Sequence, residues 1–275
     1  MSEKRELLAR IAEALEGLAP PPPAETDWLA HPAYVWDGTA ARALDAIEAP
    51  KLELLGGIEA QKAHVAENIS RLSKTYAAHD MLLWGARGMG KSALVRAAVA
   101  AAQRDDPASI ALVQVATDAL ASLSALFTIL GRETRNYLIF IDDLGYSPDD
   151  PDGPRHLRSW LEGGIEARPA NVRLAVTSNR RAILPRDASE QDDPLNPRDA
   201  VDDKLALADR FGLSLGFHNC NQDDYLAIIA GYAKAHGLAW EEREALEWAK
   251  RRGTRSGRTA WQFVTELAGK SGKRL

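Results

Sequence analysis

Residues 85–92 read G-A-R-G-M-G-K-S, directly after the apolar run Met81, Leu82, Leu83, Trp84 and directly before the apolar stretch 93–99. The pattern G-x-x-x-x-G-K-[ST] between a buried strand and a helix is a phosphate loop. It requires a strand that stops at a sheet's carboxyl edge and a helix that starts there. The loop N–H groups and the helix N-terminus then face phosphate oxygens. The cradle runs through Gly85, Ala86, Arg87, Gly88, Met89, Gly90, Lys91 and Ser92 to Ala93. Lys91 is expected to reach the β- and γ-phosphates, and the Ser92 hydroxyl to ligate Mg²⁺.

The rest of the chain agrees with such a fold. Strand-like runs at 81–84, 110–115, 137–141, 172–177 and 213–217 alternate with helix-like ones. They are short and rich in Val, Ile and Leu, as strands covered on both faces should be. The alternation predicts a doubly wound α/β sheet of five parallel strands. From Gln222 onward the pattern is helical only, with stripes at Tyr225, Ile228, Ile229 and Tyr232, at Ala245, Leu246, Trp248 and Ala249, and at Trp261, Phe263, Val264 and Leu267. Three parts are expected. Residues 1–51 hold a helix (Leu7, Leu8, Ile11, Leu15, Leu18 on one face), a proline spacer at 20–23 and an aromatic strap with Trp28, Tyr34 and Trp36. Residues 52–220 form the α/β domain, and 221–275 a helical lid. The strap either packs on the main domain or forms a docking arm.

The net charge of −5 gives no global attraction to nucleic acid or acidic membranes. Basic residues nevertheless gather late, at Lys250, Arg251, Arg252, Arg255, Arg258, Lys270, Lys273 and Arg274, and acidic ones at 142–152 and 187–203. One cysteine, Cys220, excludes an intrachain disulfide and a cysteine-based zinc site, and inert packing is its expected role. No apolar run spans a membrane, the best being broken by Arg96. The start lacks an uninterrupted signal-peptide core, so a cytoplasmic location is expected.

Four further constellations carry chemistry. Y-L-I-F-I-D-D-L-G, at 137–145, is an apolar strand ending in two acids. Asp142 suits Mg²⁺ opposite Ser92, and Asp143 suits orienting or deprotonating an attacking water. L-A-V-T-S-N-R-R ends a strand in Asn179, whose amide suits holding that water or touching the γ-phosphate if its strand lies beside the phosphate-loop strand. Arg210, in A-D-R-F-G, sits just before the last strand, where it can project into a neighbour's nucleotide or pair with Asp209. Arg258, in G-T-R-S-G-R-T, opens a lid helix with Ser256 as cap, and either reaches the phosphates or joins a basic patch.

These signals, in this order, resemble the AAA+ ATPases: a Walker A loop (GARGMGKS), a Walker B strand (LIFIDD), a sensor-1 Asn (TSN), an arginine-finger position (DRF) and a sensor-2 Arg on a lid (SGR). The resemblance runs from about Leu52 to the end and implies a P-loop NTPase three-layer sandwich with a C-terminal helical lid. L-L-G-G-I-E at 54–59 matches the box before the P-loop, so Leu55 and Ile58, with lid residues, are implied to enclose adenine. More narrowly, LLWGARGMGKS, LEGGIEARPANVRLAVTSNRR and LADRFGLSLGF are similar to a bacterial AAA+ family of undefined biological role.

Two departures stand out. AAA+ ATPases usually end the Walker B strand in Asp-Glu, whereas this chain has Asp142-Asp143, one methylene shorter at the second acid. Slow hydrolysis is one consequence, although helicase loaders and replication initiators carry Asp-Asp too. No aromatic-hydrophobic-Gly pore loop is present, and the loop at 146–154 holds only Tyr146 as an aromatic, so threading of a polypeptide is not supported. Arg180-Arg181 admit three readings: pins to the acidic stretch, a second interface arginine, or a contact to nucleic-acid phosphates.

The expectation is an Mg·ATP hydrolase working on an unidentified macromolecular partner. Asp143, Asn179, Arg210 and Arg258 would be its catalytic set, and Arg210 would act across a homo-oligomeric ring or dimer. Nucleic acid is a disfavoured partner and a membrane is excluded. The alternatives are a nucleotide-dependent switch with little hydrolysis and a small-molecule P-loop kinase. The sensor Asn, the separate lid and Arg210 argue against the kinase.

Overall fold

Residues 26–144, 169–179 and 210–275, with Arg5 and Arg10, are described by the computed structural model. The N-terminal apolar helix face, the proline spacer, the 146–154 loop, Arg180-Arg181, the acidic stretch at 187–203 and Asp209 lie outside them.

Apolar strands buried on both faces build the centre of the sheet. β3 (Met81–Gly85), β4 (Ile110–Val115), β5 (Asn136–Ile141), β6 (Val172–Ser178) and β7 (Leu213–Phe217) match the five expected runs within a residue. Two more strands come from the aromatic strap, β1 (Ala33–Trp36) and β2 (Ala41–Leu44). The sheet therefore has seven strands, in the order β2-β1-β4-β5-β6-β3-β7, rather than the expected five. It is mostly parallel, with β2 antiparallel to β1 at one edge. The turn 37–40 joins those two strands. Asp37 Oδ1 accepts the N–H groups of Thr39 and Ala40, each at 2.8 Å, so a short Asp-Gly turn reverses the chain.

The strap is fixed by groups the sequence hides. Arg135, 5 % exposed, donates to the carbonyls of Leu29, His31, Pro107 and Ile110. The Tyr137 hydroxyl donates to the Trp28 carbonyl at 3.0 Å. Trp28 packs edge-on to Tyr137 and against Tyr34. A buried guanidinium whose two terminal nitrogens each donate to two backbone carbonyls ties the 26–32 segment to the start of β4 and β5.

Helices α1 (Glu59–Ser73) and α2 (Lys91–Asp105) cover one face, where Val65, Ile69, Leu94 and Val99 meet Met81, Leu83, Leu138 and Phe140. α3 (Leu123–Leu130) covers the other, where Leu126 and Phe127 meet Leu82, Ile139 and Val176. The result is a three-layer sandwich.

The lid consists of α4 (Gln222–Ala235), α5 (Glu242–Arg252) and α6 (Gly257–Lys270). Its apolar stripes meet in one core that continues into the first face through Leu55 and Ile58. Asn221 and Ser256 cap α4 and α6 by accepting the N–H groups of Asp224 and Thr259. One expected stripe is corrected. Phe263, Val264 and Leu267 are buried with Ala260, but Trp261 points outward, 38 % exposed, and meets the rings of Tyr232 and His236 edge-on. Cys220 is buried, as expected of a packing residue. Among the described residues no helix is long and apolar enough to cross a membrane.

Candidate functional site

β3 and β6 are neighbours, with Trp84 opposite Ser178, so the ends of β3, β5 and β6 meet at the carboxyl edge of the sheet. Ligands of open α/β sheets bind at that edge. The chain leaves β3 at Gly85, whose φ is +117°. A Cβ there would sit 2.2 Å from the Phe217 carbonyl oxygen, and the next N–H, of Ala86, donates to that oxygen at 2.7 Å. Only glycine lets the loop turn that closely over the end of β7.

Lys91 and Ser92 then open α2. The Lys91 ammonium is 7 % exposed and donates to the carbonyls of Gly85 and Ala86, each at 2.9 Å, and to Asn179 Oδ1 at 3.3 Å. Burial lowers its pKa, the charges of Asp143 and Asp142 oppose that fall, and Arg258 and Arg87 add to it.

The acids lie where the sequence predicts. Ser92 Oγ donates to Asp142 Oδ1 at 2.5 Å. The Asn179 amide donates to Asp143 Oδ1. Asp143 has φ +55°, unusual for a residue with a side chain. Sequence reasoning missed the residue between these groups. Thr177, 1 % exposed, donates to Asp142 Oδ1 at 2.6 Å and accepts the Asp143 N–H at 2.8 Å. Its signal was visible only as a polar residue inside the apolar run L-A-V-T.

Leu55 and Ile58 are buried beside the loop and face the lid: a Cβ on Gly57 would lie 3.2 Å from Ile228 of α4. On the other side the lid touches the loop directly. The Arg258 N–H donates to the Gly88 carbonyl at 2.9 Å, and a Cβ on Gly88 would meet Ser256 Oγ at 2.9 Å. The Arg258 side chain is exposed at the first turn of α6.

Arg210 is not brought into this site. It precedes β7, and the start of β7 pairs with the start of β3, since Leu213 lies opposite Met81. Strand length alone puts it about 13 Å or more from the edge that holds Gly85. It lines an open cleft of about 400 Å³ with Ala78, His79, Asp80, Arg173 and Gly212.

The oxygens of Ser92 and Asp142 fit a magnesium ion, which takes one or two protein oxygens and completes its shell with phosphate and water. Among the described residues there is no cluster of three or more His, Cys, Asp or Glu side chains that could hold a metal ion.

A family model described as "Protein of unknown function (DUF815)" matches residues 29–271. The chain belongs to the DUF815 family. No curated protein matches it in sequence. In structure this DUF815 member is similar to a RuvB variant of Thermotoga maritima, at 19% identity and a TM-score of 0.52, covering 81% of this chain and 66% of that one. It is similar to the Aeropyrum pernix ORC1 protein, solved in complex with DNA, at 18% identity and TM-score 0.53, covering 80% and 65%. It is also similar to domain III of the Thermotoga maritima replication initiation protein DnaA, at 10% identity and TM-score 0.51, covering 82% and 91%. It spans about two thirds of the RuvB and ORC1 chains. At such identities the likeness carries the fold, and the fold is that of a P-loop AAA+ domain.

Proposed function

We propose that this DUF815 chain is an Mg²⁺-dependent ATPase whose site is completed by a second copy, and that the nucleotide lies between the α/β domain and the lid. The observation that carries the reading is the ring of contacts Lys91–Asn179–Asp143–Thr177–Asp142–Ser92 at the carboxyl edge of the sheet. Every group needed for phosphate, metal and water is already within hydrogen-bond reach of the next.

In this reading the loop N–H groups and Lys91 bind the β- and γ-phosphates. Ser92 keeps its proton on Asp142 and offers its lone pairs to the metal, which would supply charge neutralisation at the phosphates. Asp143 accepts a proton from the attacking water, and the Asn179 amide orients that water once released from the carboxylate. Arg258 rides on the lid and reaches the phosphate oxygens when the lid is down. Leu55 and Ile58, with Ile228, line the adenine side. Arg210, ahead of β7, lies too far from the carboxyl edge to serve its own site, which leaves the site of a neighbouring copy as the one it would complete. Catalysis is then mainly positioning and charge neutralisation.

A nucleotide-dependent switch with little hydrolysis is the second reading. Its support is the Asn179 amide resting on Asp143, which engages the proposed base before any water can be held. Equilibrium ATP binding and phosphate release, on the wild type and on Asp143→Asn, separate the two. The ATPase reading expects both proteins to bind and only the wild type to release phosphate. Binding without release by either favours the switch, and equal release by both removes Asp143 as the base.

A further inference from the structure

We infer that Thr177 is the positioning residue that sets both Walker B acids at once, which rests on the ATPase reading above. Three contacts converge on this one residue. Its hydroxyl proton goes to Asp142 Oδ1 at 2.6 Å, its hydroxyl lone pair takes the Asp143 N–H at 2.8 Å, and its carbonyl takes the Leu144 N–H at 2.8 Å.

The geometry has a physical consequence for each acid. Asp142 Oδ1 accepts two hydroxyl donors, from Thr177 and Ser92. Ser92 would share its hydroxyl with a metal ion, so Thr177 is the donor given wholly to fixing the rotation of the carboxylate. Hydrogen bonds to a charged acceptor are the strong class. Asp143 is held at φ +55°, a backbone state disfavoured for residues with a side chain. The Asp143 N–H reaches Thr177 Oγ1 in that state, so the same hydroxyl stabilises the turn that aims Asp143 at Asn179. β5 and β6 are adjacent, and Thr177 faces the same side as Ala175, the side covered by α2. A valine would fill the same space without either bond.

The hydroxyl therefore couples metal binding to water activation. Without it Asp142 turns more freely and the Asp143 turn loses its acceptor, while the phosphate loop keeps its own contacts. ATP binding without metal depends on Lys91 and the loop, so it is unaffected by the change. A purely structural role would move stability but not the metal requirement.

The test measures ATP affinity without Mg²⁺, the Mg²⁺ concentration for half-maximal turnover, and the turnover rate, on the intact chain. Thr177→Val is expected to keep metal-free ATP affinity, to raise the Mg²⁺ requirement about tenfold, and to lower turnover about tenfold. Thr177→Ser is expected to restore both. In an Asp142→Asn background, Thr177→Val should not raise the Mg²⁺ requirement further. A wild-type Mg²⁺ requirement and rate in Thr177→Val overturn the proposal, as does an equal loss in Thr177→Ser. If Thr177→Val does not fold, Thr177→Ala replaces it. If neither variant binds metal-free ATP, the hydroxyl is a folding requirement and the positioning role is overturned. Failure of the ATPase reading is seen separately, as a wild type that binds no ATP or is indifferent to Mg²⁺.

Discussion

The contact between the lid and the phosphate loop can be weighed with one methyl group. Gly88 has φ +76°, and a Cβ there would lie 2.9 Å from Ser256 Oγ and 3.1 Å from Arg258 Cβ. Gly88→Ala therefore meets two penalties. The left-handed backbone costs about 1 kcal/mol for a residue with a side chain. The Ser256 hydroxyl must also move, which loosens the cap it gives to Thr259 of α6, at about 1 kcal/mol. The sum is about 2 kcal/mol, and only the Ser256 share, about 1 kcal/mol or roughly fivefold, falls on the docking equilibrium of the lid. Gly253 is the control, because it has φ +68° and nothing within 4 Å of its Cβ position. Gly253→Ala should cost only the backbone share, about 1 kcal/mol. Urea unfolding followed by circular dichroism gives the two losses, and ATP titration gives their effect on binding. Gly88→Ala should be the more costly by about 1 kcal/mol and should weaken ATP binding, while Gly253→Ala leaves it unchanged. In a Ser256→Ala background the excess should shrink, since contacting residues are not additive. Equal losses for both glycines, or strict additivity with Ser256→Ala, would refute the docking seen between Gly88 and α6.

Other consequences are direct. Lys91→Ala should abolish ATP binding by calorimetry, and retained affinity would contradict its place on the phosphates. Arg210→Ala should lower phosphate release while leaving ATP affinity intact, and mixing it with Lys91→Ala should restore part of the rate; a loss of affinity in Arg210→Ala would place it in its own site instead. Alkali should unfold the chain through its tyrosines. Burial raises the phenols of Tyr34, Tyr137, Tyr225 and Tyr232, Tyr225 to about 12. Because the folded values exceed the unfolded value of about 10, their stabilisation is full below that pH and is lost as pH rises through the folded values. The buried Cys220 thiol is raised with the phenols, whereas Lys91 and Arg135, whose pKa values burial lowers, act in the opposite sense, two groups against five. The melting temperature should fall steadily above pH 10, and a flat or rising trend would contradict the burial of these phenols.

The sequence made the carboxyl edge of the sheet legible because each part is a local pattern. The phosphate loop, the Asp142-Asp143 ending, Asn179 at a strand tip and the Ser256 cap all sit within a few residues of the signal that marks them. The β1–β2 hairpin was harder to read. Ala41–Leu44, A-R-A-L, has no β-branched residue, and it becomes a strand through pairing with β1, which is itself held on β4. Asp37-Gly38 was the one local hint of that turn. Thr177 was invisible for a different reason. Its partners, Asp142, Asp143 and Leu144, follow the neighbouring strand β5, so its role depends on sheet order and register. The lid contact at Gly88 joins residues far apart in the chain, and periodicity carries no record of it. Trp261 misled because a helical stripe marks a face, and its edges include residues that meet the core on one side only, as Trp261 meets the buried Tyr232 while staying part-exposed.

Phosphate release from Mg·ATP by the intact chain, measured across a series of protein concentrations, tests the central claim most directly. A shared-site ATPase predicts measurable release whose rate per subunit climbs with concentration, as Arg210 of one copy meets the nucleotide of the next. Release that is absent at every concentration, despite bound ATP, would contradict it and leave the chain a nucleotide-binding switch.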